Sequence, residues 1–224
     1  MKSWKAGLAA VVAAGVALAP SVAQAQFTTF TSFAAWSAAV SNPGLDTFND
    51  LAPTSTPSPL NRTTTGTAYN YRATSVGPGS NLFFPAGNSA DPWLSNNSAV
   101  DDIVFDNFSA SVRGIGGLFF GSNIAGAFLP GATINIAATN AGGTFNYTIP
   151  NSLTTSFFGV VSSGAITSFR LGVTQPPGAV NWVTANDLRL AAAPAVVIPE
   201  PSTYALLATG LVALGVAACR RRRA

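Results

Sequence analysis

The chain has 224 residues, 48% of them hydrophobic and only 8% charged, with one Cys and no His. Its formal charge of +3 is an end effect, since Lys2, Lys5 and Arg220 to Arg223 lie at the termini while residues 26–198 hold five Arg against seven Asp, a net −2. Nucleic-acid binding is therefore excluded as a reading of the basic pI, because the body has no basic patch to neutralise phosphates. The single Cys219 cannot form an internal disulfide, and small helix filler is its plain role.

In chain order, Lys2 and Lys5 precede an apolar run from Ala6 to Ala19, which is followed by Ala23-Gln24-Ala25. A positive start, a run of 14 apolar residues and small residues at positions −3 and −1 predict a secretory signal peptide over residues 1–25. The run falls short of the ~20 residues that span a bilayer. Passage through the secretion translocon and cleavage by signal peptidase after Ala25 would leave Gln26 first.

Residues 26–190 are predicted to form one domain. Ser32 can cap a short helix over Phe33 to Val40, with Phe33, Trp36 and Val40 on one face and Asn42-Pro43-Gly44 as its stop. Every later segment favours strands: Leu45 to Asn49, Thr67 to Val76, Leu82 to Phe84, Asp101 to Phe105 and Ser111 to Phe120 are rich in Phe, Val, Ile, Tyr and Thr between Gly, Pro, Asn and Ser. Thr133 to Ala138 and Thr144 to Ile149 alternate apolar with polar residues around a Thr139 to Gly143 turn, which predicts a hairpin. Phe169, Leu171 and Val173 alternate likewise, as do Leu188 and Leu190. Residues 52–59 and 175–178 are surface loops, and 191–198 is a linker. The fold class expected is mainly β, a single jelly-roll-like antiparallel β-sandwich with one short N-terminal helix.

Between residues 26 and 198 there is no His, Cys, Lys or Glu. Ser-His-Asp, Cys-His and Ser-Lys catalysis lack their base, and a zinc site lacks its usual nitrogen and sulfur ligands. A glycosidase would need two Asp flanking a cleft, one with a raised pKa; Asp46 and Asp50 bracket one predicted strand, and Asp101, Asp102 and Asp106 another. An all-oxygen calcium site is the better use of such carboxylates, with Asp101, Asp102, Asp106 and Asp187 as its candidates, although their spacing matches no EF-hand loop. Tyr69, Tyr71, Trp93 and Trp182 lie in or beside polar, loop-like stretches and are the candidates for stacking on sugar rings. Asn61, Asn96, Asn107 and Asn146 lie in Asn-x-Ser/Thr sequons, which here reflect the Asn, Ser and Thr content.

At the C-terminal end, Pro199-Glu200-Pro201 forces extended backbone just ahead of an uncharged stretch of 18 residues, Ser202 to Cys219. A helix there spans ~27 Å, close to the ~30 Å hydrocarbon core, and predicts a transmembrane helix over 202–219. Arg220, Arg221, Arg222 and Arg223 resist translocation, which predicts a cytoplasmic C-terminus and an exported body. The run from Val197 to Leu211 together with the arginine cluster resembles a PEP-CTERM sorting signal over about the last 27 residues. The resemblance implies that Pro199, Glu200 and Pro201 (within a sorting signal at 199–224) are recognised by an exosortase, an integral-membrane cysteine enzyme, with Gly210 matching the family's mid-helix glycine and Arg220 to Arg223 its stop. It also implies a Gram-negative bacterium that makes exopolysaccharide, often in biofilm. Phe30 to Ala39, Gly117-Leu118-Phe119-Phe120-Gly121 and Asn186-Asp187-Leu188-Arg189-Leu190 are similar to motifs in the bodies of many such proteins; these are packing and turn motifs and imply no activity.

The expectation is thus an exported, non-catalytic protein, anchored in the inner membrane through its C-terminal helix before processing and then at the cell surface or in the extracellular matrix. Its role would be structural or adhesive, in contact with exopolysaccharide and with no nucleic acid. A secreted polysaccharide hydrolase with an Asp-only site, or a module that binds another surface protein, are the alternatives.

Overall fold

The computed structural model describes residues 27–79 and 81–194. The expected signal peptide with Ala23, Ala25 and Gln26, the Pro199-Glu200-Pro201 tripeptide, the apolar helix and Arg220 to Arg223 lie outside these residues. Among the described residues no helix is long and apolar enough to cross a membrane.

The body is mainly β and is built from antiparallel sheets. One sheet runs, neighbour to neighbour, through Phe27–Phe30, Phe157–Ser162, Val112–Ser122, Trp182–Ala192, Ser41–Asp46 and Thr65–Gly66, and Asp91–Ser95 pairs with the other end of Trp182–Ala192. The second runs through Gly143–Ile149, Ile134–Asn140, Ile166–Val173, Asp102–Asp106, Asn70–Val76 and Leu60–Thr63. Successive side chains of a strand point to opposite faces, so alternate residues of each sheet meet in one core. Ile115, Phe119, Phe158, Val160, Leu188 and Leu190 come from the first sheet, and Ile103, Phe105, Ile134, Ile136, Phe169 and Leu171 from the second. Rings join the layers: Phe119 and Phe169 lie 5.5 Å apart, and Tyr147 stacks on Phe158 at 4.4 Å. Fully burying each such side chain contributes about 1.5–3 kcal/mol.

The helix Phe33–Ala38 is capped as expected by Ser32, whose Oγ accepts from the Ala35 amide at 3.3 Å. It closes the outer face of the first sheet. Trp36 is wholly buried beneath it, with its indole N–H donating to the Val160 carbonyl at 3.3 Å. A side chain on Gly159 would collide with the Trp36 ring, so the glycine makes the seat for the indole.

Several boundaries differ from expectation, each for a local reason. Asn42-Pro43-Gly44 does not merely stop the helix but belongs to the strand Ser41–Asp46. The register against Trp182–Ala192 shifts there, which places the proline without an N–H at an irregularity where no ladder bond is lost. The hairpin turn is two residues, Ala141-Gly142, rather than five, because the Asn140 Oδ1 accepts from the Gly142 amide at 2.7 Å and Gly143 takes φ 136. The strand Phe157–Ser162 was not anticipated: buried on one face by the core and on the other by the helix, it shows no alternation. Phe27–Phe30 and Asp91–Ser95 were also not anticipated, and the last strand extends through Ala192 into the expected linker.

Candidate functional site

The carboxylates named for calcium do not converge. Asp101, at the start of its strand, is buried; its Oδ1 accepts from the Gly79 amide at 2.8 Å and its Oδ2 from Ser75 at 3.4 Å. Asp102 takes the Arg170 guanidinium at 2.5 Å, and Asp106 takes Arg72 through two bonds of 2.8 Å. Asp187 belongs to the other sheet and lies 3.6 Å from Arg189. Among the described residues no group of three or more His, Cys, Asp or Glu stands together as a metal site. Each oxygen set is committed to its own partner, so these four residues do not fit a shared calcium ion.

The Asp46 and Asp50 pair is held by a cation. Arg62 donates to Asp46 at 2.6 and 2.9 Å and to Asp50 at 2.7 and 2.8 Å, while the Tyr71 hydroxyl donates to Asp46 at 2.7 Å. Burial works against the Arg62 charge, but the two carboxylates outweigh it and hold its pKa above the ordinary value. Burial, reinforced by the Asp46 charge, pushes the Tyr71 phenol well above its usual range. The hydrogen bond from Arg62 pulls Asp50 below the usual carboxylate value, the opposite of what a glycosidase acid requires. Phe48, buried at φ 61, lies beneath the guanidinium with 5.5 Å from its ring centroid to the cation. The cluster ties the strand Ser41–Asp46 of one sheet to Leu60–Thr63 and Asn70–Val76 of the other.

Of the four aromatic candidates, two are corrected. Tyr69 and Tyr71 are core residues, 4% and 2% exposed, with hydroxyls given to the Asn42 carbonyl and to Asp46. Their neighbours in sequence are polar because they occupy the alternate, outward positions. Trp93 is half-buried, donates its indole N–H to Asp91 at 2.8 Å and packs edge-on against Phe120 at 4.8 Å. Trp182 alone stands on an open cleft.

That cleft has a volume of about 250 Å³ and lies where Asp91–Ser95 meets the end of Trp182–Ala192. Trp182 and the exposed Phe84 and Ile124 supply its apolar walls, and Asn96, Asn97, Asn123, Ser95 and Ser122 its polar groups. Ser122 accepts from Thr184 at 2.9 Å, and Ser95 donates to the Val183 carbonyl at 2.9 Å, which fixes the polar side. Asn123 Oδ1 accepts from the Ala125 and Ala127 amides at 2.9 and 3.0 Å and shapes the loop over the rim. Asn96 is 2% exposed and donates its Nδ2 to the Asp101 carbonyl at 2.6 Å, yet its Oδ1 has no hydrogen-bond partner among the described residues. A buried carbonyl oxygen left without a donor costs about 1–3 kcal/mol. No lining residue is ionisable, which suits a neutral ligand with hydroxyl groups and an apolar face. Asn96 was visible in the sequence only as a sequon residue, and neither Phe84 nor Ile124 carried a local signal.

Two other clefts hold charges that are already used. One of about 410 Å³ lies beside the helix, where Arg189 stacks over Phe33 at 4.2 Å. The other, about 370 Å³, lies on the second sheet and is crossed by the Asp102–Arg170 pair.

Residues 197–223 match the family described as the PEP-CTERM protein-sorting motif. A tail of this kind implies an exported, membrane-anchored precursor processed by an exosortase. No curated protein matches the chain. A matching solved structure is a mutant of CBM29-2, used to probe ligand recognition by family 29 carbohydrate-binding modules. It is 12% identical over 66% of this chain and 99% of that one, at a TM-score of 0.34. Likeness at that level carries no argument about the present chain.

Proposed function

We propose that this exported, exosortase-sorted protein is a non-catalytic component of the extracellular matrix that holds exopolysaccharide in the Trp182 cleft. The observation that carries the reading is an open, neutral cleft walled by Trp182 and Phe84 and lined with Asn and Ser side chains. A sugar ring matches such a site, with hydroxyl groups for the amide and serine side chains and a C–H face for the aromatic ring. The absence of catalysis is supported by the carboxylates, since Asp46 and Asp50 both pair with the Arg62 guanidinium and Asp50 is shifted in the wrong direction for an acid. Strands that pass repeatedly between the two sheets support a jelly-roll-like wrapping of a single sandwich. The arginine cluster supports a precursor in the inner membrane with its C-terminus cytoplasmic, delivered by the translocon and signal peptidase and released to the surface after exosortase action.

The test is binding of the exported protein to its host's purified exopolysaccharide. Trp182→Ala, and Ile124→Lys at the 83% exposed rim, are each expected to weaken binding about ten-fold, equivalent to about 1.4 kcal/mol. EDTA is expected to leave binding unchanged. Affinity unaltered by both substitutions would overturn the assignment of the cleft.

A further inference from the structure

An open sheet edge is a template for another strand, and proteins blunt such edges with charges, prolines or short strands. The four ends of the two sheets differ in this respect. On one flank the outermost strands are Leu60–Thr63, which carries Arg62 and follows Pro59, and the two-residue Thr65–Gly66. On the other flank the outermost strands are Phe27–Phe30 and the seven-residue Gly143–Ile149, brought side by side by Phe27 and Phe145, whose rings lie 5.8 Å apart. Among the described residues Gly143–Ile149 pairs with Ile134–Asn140 alone. It has neither proline nor charge, and residues 114–169 as a whole contain no Asp, Glu, Lys or Arg.

The geometry of that edge is set by its turn. A two-residue turn closes on a hydrogen-bonded pair, Asn140 opposite Gly143, and bonding then alternates along the hairpin. Thr144, Asn146 and Thr148 therefore direct their backbone N–H and C=O groups away from the partner strand, and their side chains are exposed on the outer face. Phe145, Tyr147 and Ile149 form the other row, half-buried against the core.

We propose that this edge pairs with the same edge of a second copy of the chain, antiparallel, so that the six-stranded sheet continues from one molecule into the next. The occupant follows from symmetry and charge. Antiparallel pairing of a strand with itself is isologous and closes as a dimer, and a charge at its central residue, here position 146, meets its own copy. Only an edge without charge joins itself at no electrostatic cost, and of the outermost strands only Gly143–Ile149 is both uncharged and longer than four residues. Pairing would satisfy the outward amides and carbonyls and cover the half-buried row of Phe145, Tyr147 and Ile149. For a matrix protein the result is two cleft-bearing bodies in one unit, and the pairing itself does not depend on any glycan.

The test is sedimentation velocity of the exported protein over a range of concentrations, with Asn146→Lys and Asn146→Glu variants. The parent is expected to show a concentration-dependent dimer. Each variant, altered at an exposed side chain, is expected to keep the parent's melting temperature while its dimer dissociation constant rises at least about ten-fold, because like charges meet across the pair. An equimolar mixture of the two variants is expected to restore the dimer. A parent that stays monomeric at every concentration, variants that dimerise as the parent does, or a mixture that remains monomeric would each overturn the proposal.

Discussion

The Asp46 carboxylate ends a strand of one sheet and accepts four hydrogen bonds, two from Arg62, one from the Tyr71 hydroxyl and one from the Phe48 amide. Asp46 is 5% exposed and Arg62 12%, whereas Asp50 on the same guanidinium is 69% exposed. Burial decides which carboxylate matters. Removing one partner of a buried pair strands the other charge and costs about 3–5 kcal/mol, while an exposed pair contributes about 0–1 kcal/mol. Chemical denaturation is therefore expected to show Asp46→Ala losing about 3 kcal/mol or more and Asp50→Ala less than about 1 kcal/mol; equal losses would contradict the network. The sequence located both aspartates beside a strand but did not single out Arg62, since nothing local links residues 16 apart. The same blindness applied to Tyr69 and Tyr71: polar neighbours suggested exposed rings, but those neighbours are the wet face and the rings lie in the core.

At the scale of elements, the alternation of apolar and polar residues made most of the second sheet legible, because its outer face meets water. The first sheet was harder to read where the helix covers it. Phe157–Ser162 and Val112–Ser122 are buried on both faces and run apolar without a period, so residue composition located the second and alternation located neither. The glycines of these strands have a specific use. Gly159 lies against the indole of Trp36, and a methyl group there would push on a ring that is already fully enclosed. Gly159→Ala is expected to destabilise by about 1–3 kcal/mol through overpacking. In a Trp36→Ala background the added cost is expected to vanish, since the two sites share one space and their effects cannot add. Costs that simply sum would show that the helix is not seated by the glycine.

At the scale of the whole molecule, charge is distributed by role. The termini hold the net positive charge, five of the body's seven Asp pair with four of its five Arg, and a long central stretch has no ionisable acid or base except tyrosine. The sorting motif was legible in sequence, because a tripeptide, an apolar run and an arginine cluster need no tertiary structure to be recognised, and residues 197–223 match it. The cleft was not legible beyond Trp182, because it is assembled from residues 84, 96, 124 and 182, which only the fold brings together. Outward sorting, carboxylates largely paired to arginine and an open neutral cleft are what the proposed polymer-holding role rests on. The most direct measurement is to incubate the exported protein with its host's exopolysaccharide and follow both bound protein and polymer length. Saturable binding with the polymer length unchanged is the predicted result; a shortened polymer, or no binding at any concentration, would contradict it.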